Sequence, residues 1–572
     1  MSLVASTNNG DAVSPIKRPH AIFPPDIWGD FFLRYTSEPT EADDNMKQQV
    51  GILKEEVKKL FLTSIDQSIL QKLKLIDSVQ RLGVSYHFEH EIDEALEQIH
   101  YSVGSGEFNE GDLHIVALVF RLLRQKGYEI SSDVFKKFKN EEGKFDETLT
   151  KDVEGLWSLY EASQLRTHAD DILDEACDFT YTRLKSLLLA NQLSSHSLAA
   201  QINRSLNIPI HKRLPRSEAA RYYMNAYEDN PSHNEILLTF AKLDFNSLQK
   251  MHQKEVGSIT KWLKKSNFGT RVPYARERFV EPYLWPLAMS HEPENSTARR
   301  CTGKLIACLS LVDDAYDAYG TVEELELFTE AIQRWDISII EPLPQGMKAV
   351  FETVVEICDE IELLTGDSGK SSFVMPRVKQ AIYELFQAYL IEAKWCHEGH
   401  IPTYDEYRVN GILTSTFPLQ LASFIGLGPY ATKEVFDWMS SDPDIIQAIS
   451  VICRFVDDTA SHKFEHQRVH VATAVECCIK QYDLSLEEAY ELIFKDVEDC
   501  WKVLNEEYLK LIKDIPKHVL DYIVNLARIT ELVYGNFEDK YTNGKLLKNY
   551  VRSLLVDPMC IEKHKQEKKL LE

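Results

Sequence analysis

Leu311-Val-Asp-Asp-Ala-Tyr-Asp-Ala-Tyr-Gly-Thr321 decides the reading of this chain. It closes a mostly apolar run, residues 305–312, with Asp313, Asp314 and Asp317. A helix advances about 1.5 Å and 100° per residue, so Asp313 and Asp317 share one face, roughly 6 Å apart along the axis. Asp314 faces about 100° away, as suits a residue that orients a ligand or an arginine. Aligned carboxylates on an apolar helix are costly unless a cation joins them. Hard divalent ions such as Mg²⁺ take oxygen ligands, often one or two carboxylates plus the phosphates of a substrate.

A second acidic face follows in Arg454-Phe-Val-Asp-Asp-Thr-Ala-Ser-His-Lys-Phe-Glu465. Asp457, Ser461 and Glu465 stand at i, i+4 and i+8, again on one helix face. The hydroxyl adds a third oxygen ligand. Arg454, one turn earlier, points toward the same rim. The two acidic faces are placed to look at each other across a cavity.

Outward from these motifs the text is helical. Apolar residues recur at helical spacing, and β-branched alternation is scarce. The expectation is an all-α chain of two helical domains. Residues 1–22 read as disordered, and 23–232 as an N-terminal helical domain broken near 104–111, 140–144 and 207–216. Pro231 and Ser232 mark the junction, and 233–558 form the C-terminal domain with a charged tail at 559–572. Residues 409–432 carry no charge, but Asn410, Gln420, Pro418 and three glycines argue against a membrane span.

A formal net charge of −25 disfavours nucleic acid, which needs a basic footprint. It would also repel an anionic substrate, so such a site needs local arginines and metal ions. Ten cysteines without a CxxC pair read as reduced thiols of an intracellular protein. The first 17 residues hold one cation, Lys17, one acid, Asp11, and no apolar core, so no signal or transit peptide is expected.

Three motifs in order carry a resemblance. Asp313-Asp-Ala-Tyr-Asp317 resembles the aspartate-rich motif of class I terpene synthases. Asp457-Asp-Thr-Ala-Ser-His-Lys-Phe-Glu465 resembles their second metal motif. Arg276-Glu-Arg278, 37 positions before Asp313, resembles the basic motif of the plant enzymes. Arg18-Pro19 with Trp28, Tyr160-Glu-Ala, Ala331-Ile-Gln-Arg-Trp-Asp336 and Asn525-Leu-Ala-Arg528 agree. The likeness runs from about Arg18 to about Pro558.

The resemblance implies a C-terminal class I helical bundle and an N-terminal, barrel-like helical domain. It implies a cytosolic sesquiterpene synthase that works as a monomer on farnesyl diphosphate. Three Mg²⁺ ions, with Mn²⁺ as a substitute, would be held by Asp313, Asp317, Asp457, Ser461 and Glu465. Arg276, Arg278, Arg454 and Arg468 would hold the diphosphate, and Trp285 and Tyr534 would face the carbocation. Asp539 and Tyr541 match a closing C-terminal loop. Thr414-Ser415-Thr416 match a broken helix whose carbonyls line the cavity, with Pro418 beside the break. Two residues depart from the pattern: Val469 stands where the family usually has Gly, and Lys463 adds a cation.

Other motifs carry less. His462, His466 and His470 have helical spacing suited to zinc, but Lys463 stands where the protease motif needs Glu, and the row faces away from Asp457. Gly366-Asp-Ser-Gly-Lys-Ser371 is too short between its glycines for a phosphate loop. His168-Ala-Asp-Asp171 lacks the first Asp of a class II protonation motif, so the first domain is expected to be structural. Two alternatives stand beside the synthase reading: a chain-elongating prenyl transferase, which would carry two DDxxD motifs, and a non-catalytic helical scaffold.

Overall fold

The computed structural model describes residues 18, 22–36, 41–63, 69–105, 111–193, 195–218, 222–465 and 470–561. Among these residues the chain is helical and forms no strand. A single bridge, Lys139 to Phe145, closes the turn at Asn140. Of the segment 1–22 expected to be disordered only Arg18 and Ile22 are described, and Arg18 is held by Glu324; most of the expected tail lies outside the described residues.

The first domain is an array of amphipathic helices, among them Ile69–Arg81, Leu113–Gln125, Val153–Ser163 and Asp171–Leu189. Asp112 starts the Leu113–Gln125 helix by accepting from the Ile115 amide. This helix is buried on nearly all sides, and Arg121 and Arg124 go under with it. Arg124 is matched by Asp170 at 2.8 Å, and Asp170 also accepts from Thr167. Asp170 of the 168–171 stretch is thus spent on structure, and Asp171 is exposed.

A turn at Asn230 to Ser232 leads to Asn234, which caps the 32-residue helix Glu235–Ser266. One side of that helix packs on Glu41–Thr63 and on Phe31–Tyr35; the other meets the helix that carries Asp313. At Gly257 a Cβ would come within 2.8 Å of the Phe32 carbonyl oxygen, so only glycine permits this approach. Glu255 is bound by both Arg299, at 2.8 and 2.9 Å, and the Tyr283 hydroxyl, at 2.5 Å, which locks the two helices together in a dry contact. Residues 23–36 belong to the first domain by the sequence boundary, yet Phe23, Pro24 and Phe32 rest on the second, as does Arg18 from the segment before it.

The helix Ser296–Ala318 is the centre of the second domain. Residues 305–312 are buried because the helices Gln345–Gly366, Ser371–Glu398 and Phe417–Leu427 surround it. Tyr316, Phe328 and Phe386 form an aromatic cluster with ring centroids 5.4 to 5.9 Å apart. Each such ring contributes roughly 1.5–3 kcal/mol by burial. Gly320 and Thr321 end the element, and Thr321 caps the next helix in a reciprocal pair with Glu324. Opposite stands the second acidic helix, Asp444–Glu465, seated on Leu486–Leu511 and Lys517–Tyr534.

The uncharged stretch 409–432 is two short helices, Tyr404–Thr414 and Phe417–Leu427, joined by Ser415 and a left-handed Thr416 with φ 66°. In a continuous helix the Thr414 carbonyl would take the amide of residue 418, but Pro418 has none. Among the described residues no helix is long and apolar enough to cross a membrane.

Candidate active site

The two acidic helices form facing walls of one cavity of about 1310 Å³, open mouth included. Asp313 and Asp317 line one wall; Asp457, Ser461 and Glu465 line the other. Arg276, Trp285, Thr414, Ser415, Thr416, Arg454, Tyr534, Asp539 and Tyr541 line the same space.

Each wall uses its Asp-Asp pair in the same way. Asp313 faces the cavity, while Asp314 is fully buried and holds Arg276 through its backbone amide at 2.7 Å, Nε at 2.9 Å and Nη2 at 2.6 Å. The Arg276 Nη2 also reaches Asp313 at 2.6 Å. On the other wall Asp457 faces the cavity, and Asp458 is fully buried. Asp458 accepts from Arg454 Nε at 2.8 Å, the Tyr407 hydroxyl at 2.7 Å and the Ala474 amide at 2.9 Å. The Arg454 Nη2 reaches Asp457 at 2.6 Å. One carboxylate of each pair therefore fixes an arginine at the rim, and its neighbour is left for the cavity.

The cavity carboxyls are uncomfortable without a cation. Burial raises Asp313 to about 6; Arg276 pulls it down and Asp314 and Asp317 push it up. Burial raises Asp457 to about 8 against the pull of Arg454, with Asp539, Asp458 and Asp313 adding to the rise. Glu465 is held well above the usual carboxylate range by burial and by Asp458 and Asp317. Ser461 Oγ and Glu465 Oε2 are buried with no hydrogen-bond partner. Oxygen donors only, repelling carboxyls and two orphaned buried oxygens fit Mg²⁺. Among the described residues no three His, Cys, Asp or Glu groups stand close enough together to hold a metal ion by themselves.

Not every expected residue reaches the cavity. The Arg278 guanidinium is buried and bound to the carbonyls of Pro24, at 3.0 Å, Tyr541, at 2.9 Å, Glu277 and Thr542. It latches the N-terminal segment and the C-terminal loop together and does not line the cavity. Arg468, Val469 and His466 lie outside the described residues. His462 and His470 both approach Glu476 Oε1, at 3.3 and 3.2 Å. Those contacts hold Glu476 well below the usual carboxylate range despite its burial.

Asp539, Tyr541 and Thr542 of the C-terminal loop line the cavity. Tyr541 bonds the Ser310 hydroxyl and meets Trp285 edge to face, with ring centroids 5.0 Å apart. Arg276 Nη1 reaches Thr542 Oγ1 at 3.3 Å, and the Phe23 ring lies 4.7 Å from the Arg276 guanidinium. Glu392, which the sequence reading passed over, also lines the cavity. It accepts from Asn410 at 3.1 Å and Thr414 at 3.0 Å, and burial raises it to about 8. Its only signal was one acid in the otherwise apolar text Ala388-Tyr-Leu-Ile-Glu-Ala393. A larger space of about 1700 Å³ lies elsewhere, between the domains, and contains neither acidic motif.

An all-α fold with two acidic helix faces across one cavity is the class I terpenoid synthase architecture. The chain belongs to the terpene synthase family. Residues 27–206 match the terpene synthase N-terminal domain, and residues 264–503 match the terpene synthase family metal-binding domain. The chain is 47% identical to the (−)-germacrene D synthase of Vitis vinifera, over 98% of this chain and 99% of that one. It is 43% identical to the (+)-delta-cadinene synthase isozyme XC1 of Gossypium arboreum, over 95% and 96%. Among solved structures it resembles isoprene synthase from grey poplar leaves (Populus x canescens), in complex with three Mg²⁺ ions and dimethylallyl-S-thiolodiphosphate. That match has a TM-score of 0.84 at 34% identity, covering 90% of this chain and 97% of that one. Limonene synthase with 2-fluorolinalyl diphosphate matches with a TM-score of 0.87 at 30% identity, covering 95% and 100%.

Proposed function

We propose that the chain is a sesquiterpene synthase that ionises farnesyl diphosphate and guides the resulting cation to a cyclic C15 product. The observation that carries this is the pair of acidic walls facing across one cavity, each with an arginine fixed at its rim. The curated relatives include synthases of germacrene D and delta-cadinene. Asp313 and Asp317, and Asp457, Ser461 and Glu465, would hold the ions, three Mg²⁺ with Mn²⁺ able to replace them. When bound, they supply Lewis-acid charge to the leaving diphosphate. Arg276 and Arg454 take up its oxygens, a task for which a guanidinium fork is suited. Arg278 acts by holding the covering loop, and Arg468 is assigned to the diphosphate by resemblance. Trp285 and Tyr534 turn their rings to the cation. Tyr541 and Asp539 belong to the loop that keeps water out while that cation lives.

The domain boundary is placed at 232/233, and the first domain serves as a support. A monomer is assigned by resemblance alone. Ten free cysteines suit the reducing cytosol.

The test is incubation with geranyl, farnesyl or geranylgeranyl diphosphate, with and without Mg²⁺, followed by mass spectrometry of extracted products. A C15 hydrocarbon or alcohol from farnesyl diphosphate alone is expected. Turnover only when isopentenyl diphosphate is added would make the chain a prenyl transferase, and no turnover would make it a scaffold.

A further inference from the structure

The larger cavity has a lining that the proposed reaction does not use. It is walled by residues 210–217 and by helices Leu284–Met289, Leu486–Leu511 and Lys517–Tyr534. The Asn525-Leu-Ala-Arg528 motif supplies two of its residues, Asn525 and Arg528.

Most cations on this lining are matched. Arg124 has Asp170, Arg81 has Asp77 and Lys517 has Asp521. Arg216 and Arg528 differ: among the described residues neither has a carboxylate in ion-pair range. Arg216 is 6% exposed. Its Nη2 donates to the Phe245 carbonyl at 3.0 Å, its guanidinium lies 4.2 Å from the Phe245 ring, and its Nε has no partner. Arg528 donates only to neutral acceptors, the His211 carbonyl at 2.7 Å and Asn525 Oδ1 at 2.9 Å. His211, 5% exposed, lines the same space with an unpartnered Nδ1. Burial lowers both arginines, Arg216 to about 10.

The acids on the lining form no ion pair with these cations. Asp521 is bound to Lys517 and Tyr508, and Glu89 approaches His518 at 3.4 Å. Glu292 is raised to about 8 by burial and by Glu294, so it stays largely protonated at neutral pH. Asp244 attracts Arg216 and Asp521 attracts Arg528, but only from beyond ion-pair range, and buried guanidinium groups without a paired carboxylate are costly. Between them the surface is apolar, with Leu214, Leu284, Leu287, Leu504 and Leu554.

We propose that this cavity is a second, metal-independent binding site for a small organic anion, an apolar body bearing a phosphate or carboxylate whose charge Arg216 and Arg528 take up. Its walls are shared with the first cavity. The helix Leu284–Met289 turns Trp285 to one and Leu287 to the other, and Lys517–Tyr534 does the same with Tyr534 and Arg528.

The experiment uses the full chain in EDTA, titrated with dodecyl phosphate, dodecanoate or inorganic phosphate, each below any micelle concentration. Calorimetry and hydrogen exchange are read together. One equivalent of at least one dodecyl compound is expected to bind, with exchange slowed in residues 211–217 and 521–528. The tighter of the two names the head group, and inorganic phosphate should bind more weakly than either. Arg528→Gln and Arg216→Gln should each weaken binding about tenfold, as loss of a charged hydrogen bond does. Asp313→Asn should leave binding unchanged. Absence of binding to the wild type would mean that the cavity holds water only and overturns the proposal. So would slowed exchange confined to 310–317 and 457–465, equal affinity for inorganic phosphate, or indifference of folded variants to both substitutions. Should Arg216→Gln fail to fold, Arg528→Gln and the wild-type exchange pattern decide.

Discussion

Asp313 and Asp314 are neighbours with opposite duties, and substitution should separate them. Asp313→Ala removes a cavity carboxyl that its surroundings already resist ionising, so folding should survive. Turnover should fall by about a hundredfold or more, roughly 2.7 kcal/mol. Asp314→Asn leaves the Arg276 guanidinium without its buried partner, and breaking such a pair costs about 3–5 kcal/mol. Its melting temperature should drop together with activity, and an unchanged melting temperature would contradict the assignment. Tyr534 belongs to a different stage. Tyr534→Phe keeps the ring and deletes the hydroxyl, so the rate should hold within about tenfold, or 1.4 kcal/mol. A shift toward an earlier-quenched product would assign the hydroxyl to proton transfer; Tyr534→Leu with an unchanged rate and profile would remove the residue from the site. Spacing alone was enough to turn Asp314 away from Asp313. It could not reveal Arg278 as a latch, because that depends on carbonyls of Pro24 and Tyr541 that only the tertiary fold brings together.

Elements carry the next layer of function. Pro418 keeps the Thr414 carbonyl free of the partner it would have in a continuous helix. Pro418→Ala restores that amide and lets the helix Phe417–Leu427 extend backward. The fold should tolerate it, because Pro418 sits in the first turn. The cavity should not: a slower rate or an altered product mixture is expected by product profiling, with a melting temperature close to that of the wild type. Proline and the absence of charge made the break legible. The left-handed residue proved to be Thr416 rather than a glycine, which no local rule would select. The histidine row is not one helix face: the helix Asp444–Glu465 carries His462 but ends before His470, which is not helical. Its described members gather around Glu476, which lies on the next helix, Ala474–Tyr482, and so beyond the reach of periodicity.

For the whole molecule the expectations concern metal and pH. Treatment with EDTA should abolish turnover, Mg²⁺ should restore it, Mn²⁺ should restore at least part, and Zn²⁺ should do poorly. Full activity in excess chelator would refute the mechanism. Asp457 is one of several raised carboxyls that shape the pH behaviour of the metal-free protein. Its folded value is about 8, against about 3.9 for a free aspartate. Between those values the unfolded chain releases a proton that the folded chain keeps, so this group removes stability as pH rises. Asp457→Asn should therefore gain on the wild type as pH climbs from about 5 to 8 in EDTA, by about 1–3 kcal/mol. A difference that stays flat with pH would contradict this. The helical class, both acidic walls and the loop that lines the cavity with them were legible because each rests on short-range spacing or on motif order. The cavity between the domains was not, since its arginines gain their meaning from the carboxylates that fail to meet them.

The Arg278 latch also has a consequence in time. Two of its acceptors, the carbonyls of Tyr541 and Thr542, follow both acidic helices in the chain and so leave the ribosome after them. Both acidic helices can be folded and facing each other while the cover that shields a reactive cation does not yet exist. A nascent chain thus passes through a stage at which both acidic walls are in place but uncovered, and the order of synthesis itself delays protection until residues 541 and 542 have been made.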